Sequence, residues 1–101
     1  MPENLTLNDF ALYLNTRFCV ATLEDYELEL AEVTDHSNAQ LEQFSLIFTG
    51  ILSPWLQQGS YKLVHPRLGE CELFLVPIGP DGAVMRYQAV FSRFNRKTGA
   101  P

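Results

Sequence analysis

The sequence is poor in the side chains that do chemistry. Two histidines and two cysteines occur in 101 residues. His36 stands beside Asp35, and His65 precedes Pro66. Neither has a serine or cysteine neighbour in a recognisable catalytic motif, and there is no G-x-S-x-G. Lysine and arginine are absent from Phe18 to Tyr61, while Glu24, Asp25, Glu27, Glu29, Glu32, Asp35 and Glu42 fall there. With a net charge of −5, binding to phosphate backbones is disfavoured, because that depends on basic side chains displacing counterions. No apolar run approaches the roughly 20 residues of a membrane helix. The start, Met1 to Asn4, lacks the basic and apolar blocks of a secretory signal, so a cytoplasmic location is expected.

The chain is rich in apolar residues, 47%, and in turn formers. That is the composition of one folded domain, long enough to bury roughly two thirds of its unfolded surface. Two apolar runs, Glu70–Ile78 and Val84–Ser92, flank Gly79-Pro80-Asp81-Gly82. Proline presets φ for the first corner of a tight turn, and glycine accepts the positive φ at its exit, so a hairpin is predicted here.

Before it, Thr6 can cap a helix at about 7–14, with Asp9 near its positive end and Leu7, Phe10 and Leu14 as its apolar stripe. A strand is predicted at about 17–23 with Phe18 and Val20 on one face. A second, at 26–34, points Tyr26, Leu28 and Leu30 one way and Glu27 and Glu29 the other. Val33 breaks that parity, which calls for a bulge near Ala31–Glu32. A third strand covers 43–49, with Phe44, Leu46 and Phe48 inward. Ser53-Pro54-Trp55-Leu56-Gln57-Gln58-Gly59 has the grammar of a single helical turn. Strands at 60–65, 70–78 and 84–92 follow, and 93–101, with Arg93, Arg96 and Lys97, reads as a flexible basic tail.

The expected fold is therefore all-β with one short N-terminal helix: a single domain, 1–92, whose six-stranded antiparallel meander curls into a small barrel or strongly bent sheet. The 70–78 strand is apolar on both faces, Leu73 and Leu75 on one and Phe74, Val76 and Ile78 on the other. Val90 and Ile47 extend the second set. A half-solvated strand has one polar face, so the helix or another subunit should cover this one.

Cys19 and Cys71 sit in strand-like runs, where a thiol serves as a small apolar side chain; the spacing leaves a disulfide open. Glu27 and Glu29, about 7 Å apart along one strand face, point to solvent rather than into a catalytic cleft. Gly79 and Gly82 flank a β-turn and precede no helix, so they form no phosphate loop. No catalytic, cofactor-binding or metal-binding residue is assigned, and a non-enzymatic protein is expected. Its partner is another protein or a second copy, with neither nucleic acid nor membrane as a target. Candidate interface residues are Phe74, Val76, Ile78, Val90, Trp55, Glu27 and Glu29. The alternative is a small apolar ligand held within the curled sheet by Phe44, Phe48, Tyr61 and Tyr87.

Phe44–Gly50 (FSLIFTG), Gln58–Pro66 (QGSYKLVHP), Leu73–Gly82 (LFLVPIGPDG) and Met85–Phe91 (MRYQAVF) together resemble a family of small bacterial proteins of unknown function, over about Leu5 to Phe91. The shared residues are turn formers and core apolars, so the resemblance implies a fold and no catalytic residues. It also implies gene neighbours resembling tail-fibre and phage-collar proteins, and hence an accessory role in such an assembly.

Overall fold

The structure, a computed structural model, describes residues 6–94, with side chains through Ser92. Helix α1 spans Leu7–Ala11, and six strands follow: β1 Arg17–Val20, β2 Glu27–Asp35, β3 Leu41–Ile51, β4 Gly59–His65, β5 Gly69–Asp81 and β6 Val84–Phe94. All neighbours are antiparallel and the sheet closes into a barrel of order β1-β2-β3-β6-β5-β4. The expected all-β barrel with one short helix is thus the architecture found. It is built from two three-stranded meanders, β1–β3 and β4–β6, rather than one of six. β3 lies against β6, and β4 returns to β1.

The segment joining the halves, residues 52–58, crosses one end of the barrel. It forms no helical turn, and Gly59 opens β4 instead of closing a helix. Two tyrosine hydroxyls fix it. Tyr26 Oη donates to the Pro54 carbonyl at 2.6 Å, and the Leu56 amide donates to Tyr87 Oη at 2.8 Å. Leu56 is the buried plug, while the neighbouring Trp55 is 48% exposed.

The other end is closed by α1. Thr6 and Asp9 form the reciprocal capping box that satisfies the first free amides. The helix stops at Ala11, short of the expected Leu14, and Asn15 turns the chain with φ 67°. Leu14 is therefore exposed, and Phe10 alone carries the deep contact. Its ring lies 5.4 Å from Phe91 and 6.1 Å from Phe44, which stack on each other at 4.6 Å.

Inward positions follow the alternation read from the sequence: Phe18 and Val20; Leu28 and Leu30; Phe44, Leu46 and Phe48; Cys71, Leu73 and Leu75; Tyr87 and Ala89 all belong to one core. The predicted bulge in β2 is present, between Leu30 and Glu32. β1 ends at Val20, three residues early, because residues 21–25 loop out before β2. Cys19 takes the outward position and is exposed, contrary to the expectation of two buried thiols; both cysteines are free.

The hairpin is tighter than predicted. β5 runs on to Asp81, which pairs with Val84, so Gly82 and Ala83 form the turn and Pro80 lies within the strand. Gly82 has φ 63°, as a turn glycine should, but Gly79 (φ 111°) serves a bulge between Pro77 and Gly79 instead. β6 extends through Phe94, two residues into the segment read as tail; 95–101 lie outside the described residues.

Candidate functional site

Side chains alternate along a strand, so each inward-facing set implies an outward one. On β5 the outward set is Glu70, Glu72, Phe74 and Val76, with Ile78 turned out at the bulge. On β6 it is Arg86, Gln88, Val90 and Ser92. Phe74 is 53% exposed, Val90 56% and Ile78 42%. Val76 is half-buried and pairs with Gln88, which pairs in turn with Ile47 on β3. The result is a set of exposed apolar side chains on the outside of β5 and β6; Ile47 on β3 has the same outward parity but is buried. Helix α1 packs against β2 and the Phe44–Phe91 stack, so it does not cover this patch.

The β5–β6 ladder ends within the patch. Its last pair is Val76–Gln88. Continued in the same register, Leu75 would meet Ala89 and Phe74 would meet Val90. No such pairs form, although β6 continues on β3 through Leu41–Phe94 and β5 continues on β4 through His65–Gly69. Toward the helix end of the barrel, then, each of these strands has one edge in a ladder and the other without one among the described residues.

The seven proposed interface residues divide among three places. Phe74, Val76, Ile78 and Val90 make the patch. Trp55 sits on the crossover at the barrel end. Glu27 and Glu29 line a shallow groove of about 210 Å³ with Arg17, Thr49, Gly50 and Val84. There Arg17 meets Glu27 at 3.4 Å, an exposed pair of little energetic weight. The four proposed pocket residues do not surround a shared space. Phe44, Phe48 and Tyr87 are fully buried core members, with Phe48 edge-on to Phe18 at 5.5 Å. Tyr61 is half-buried and donates its hydroxyl to the Gln57 carbonyl.

His65 is buried, and its ring nitrogens have structural partners. Nδ1 accepts from the Arg67 and Leu68 amides at 3.1 and 3.2 Å. Nε2 lies 3.0 Å from Thr16 Oγ1. Because Thr16 donates its own proton to the Tyr13 carbonyl, Nε2 must carry the hydrogen in this contact. Burial, then the nearby Arg67, lowers the His65 pKa from its ordinary value. His65 thus ties the turn after β4 to the segment after α1, a strand-capping role consistent with its place before Pro66.

The other perturbed groups also have local causes. Burial pushes the Cys71 thiol up to about 11, which leaves it a poor nucleophile. Burial and neighbouring Tyr87 raise the Tyr26 hydroxyl. The Ser37 amide bound to Asp35 lowers that carboxyl. His36 Nε2 is 3.3 Å from Ser45 Oγ. Among the described residues, no three His, Cys, Asp or Glu side chains gather as metal ligands, and no helix is long and apolar enough to cross a membrane.

What the geometry defines is a small helix-plugged β-barrel with exposed apolar side chains on β5 and β6 that no described residue covers. The model of the family Domain of unknown function (DUF6916) matches residues 5–91, and the chain belongs to that family. No curated protein and no solved structure matches.

The patch was foreshadowed by the two-faced apolar pattern of β5. The break in the ladder was not, because the point where two strands part depends on the path of the whole sheet.

Proposed function

We propose that this protein is a non-enzymatic interaction or assembly module that binds another protein through the outer face of β5 and β6. The observation that carries the reading is the exposure of Phe74, Ile78 and Val90 on paired strands whose opposite faces already fill the core. Large apolar side chains left exposed on a rigid scaffold are a feature of protein-binding sites. The engaged nitrogens of His65 and the raised pKa of Cys71 support the non-enzymatic part. An accessory of a phage-tail-like or surface assembly in a bacterial cytoplasm would use such a face.

The test is capture from the source cell with wild-type protein and the Phe74→Ser/Val90→Ser double variant, alongside sedimentation of each alone. The reading expects a protein retained by the wild type and lost by the variant, or self-association lost in the same way. Equal capture by both, or a wild type that is strictly monomeric and retains nothing, contradicts it.

A further inference from the structure

We propose that the edge left where β5 and β6 part is a docking site for an extended strand with alternating apolar and basic residues. The inference rests on the interaction reading above and specifies the partner's chemistry. Among the described residues, β6 past Gln88 is joined to β3 alone, and β5 before Val76 is joined to β4 alone. A strand that is paired on one side has backbone donors and acceptors directed to the other, and an extended peptide can complete them.

The side chains around this edge set the partner's pattern. Toward the core stand Phe91 and Leu68, both only partly buried, beside Leu73. Toward solvent stand Phe74 and Val90, with Glu72 and Glu70 further along β5. Lys62 lies 3.8 Å from Glu70 and stands opposite Glu72 in the β4–β5 ladder, so the two carboxylates share one cation. A docked strand would place alternate apolar residues toward the partly buried Phe91 and Leu68, and its remaining residues beside Glu72. Lysine or arginine suits those outward positions. A second copy of this acidic chain suits them less, since like charges would face one another.

The probe is a fluorescein-labelled octapeptide of alternating valine and lysine, titrated into the full chain by anisotropy. Four further peptides accompany it: alternating valine and glutamate, the same valines and lysines in two blocks, and two versions of the parent, each N-methylated at alternate residues along one edge. The proposal expects the parent to bind at least about tenfold more tightly than the glutamate and block peptides. It expects a similar loss on N-methylation of one edge, since main-chain pairing needs those N–H groups. Glu72→Lys should weaken binding, as should about 0.5 M salt, which screens charges beyond a few ångströms. Equal binding of the N-methylated peptides, or of the glutamate peptide, overturns the proposal. If the parent fails to bind while Phe74→Ser/Val90→Ser still abolishes capture, the strand inference falls and the interaction reading stands. A wild type that sediments as a dimer through this edge also overturns it.

Discussion

Leu75 and Phe74 are neighbours on β5 that face opposite ways. Leu75 is fully buried, and Phe74 is 53% exposed. Both are large and apolar, so transfer to a dry environment would favour either by about 1.5–3 kcal/mol. Folding collects that contribution from Leu75 and only part of it from Phe74. The same split runs along the strand, with Cys71 and Leu73 inside and Val76 and Ile78 outside. On β2 the outward face carries Glu27, Glu29 and Glu32, the ordinary arrangement for a half-solvated sheet. The two strands show that closing a barrel needs one apolar face per strand. A second apolar face on β5 is therefore surplus to the fold.

Substitutions should separate the two faces. The largest effect is expected for Leu75→Ala, which empties a fully buried site and should cost about 2–5 kcal/mol, read as a lower urea midpoint. Tyr87→Phe keeps the ring and removes the acceptor for the Leu56 amide. Leaving that amide unpaired should cost about 1–3 kcal/mol and loosen the crossover, with faster hydrogen exchange at Leu56 as the check.

His65 sharpens the comparison by pH. Its folded pKa is lowered from 6.5, so the unfolded chain takes up the proton first as pH falls. Stability should be full above that value and should decline as pH drops from 6.5 toward the folded pKa. The His65→Gln variant should be less stable at neutral pH and show a flatter profile than the wild type in this window. Identical slopes would contradict the neutral, fully engaged ring. The smallest effect is expected for Phe74→Ser, about 1 kcal/mol or less, since only about half of that side chain leaves water on folding. A loss comparable to that of Leu75→Ala would erase the distinction between the faces.

Much of the barrel was legible in the sequence because alternation is local. Tyr26, Leu28 and Leu30 set the parity of β2, and Val33 announced its bulge. Three features were hidden. Ser53-Pro54 and Gly59 have the residue types of a helical turn, but the segment must span the barrel end, and the hydroxyls of Tyr26 and Tyr87 hold it there in an irregular path. Those partners are distant in sequence. Gly79 looked like half of a turn, yet β5 continues past it, and the bulge uses its positive φ. The order of the strands depends on β3 finding β6 rather than β4, a long-range choice that no local motif encodes. For the site, Phe74, Val76, Ile78 and Val90 could be read from their parity. Trp55, Glu27 and Glu29 were grouped with them by residue type, and the fold places them elsewhere.

The most direct test combines both faces in one protein: the Phe74→Ser/Val90→Ser variant, measured for urea midpoint and for retention of the wild type's partner. The account predicts a midpoint close to that of the wild type together with loss of the partner. A folded variant that still retains the partner, or one that no longer folds, would contradict it.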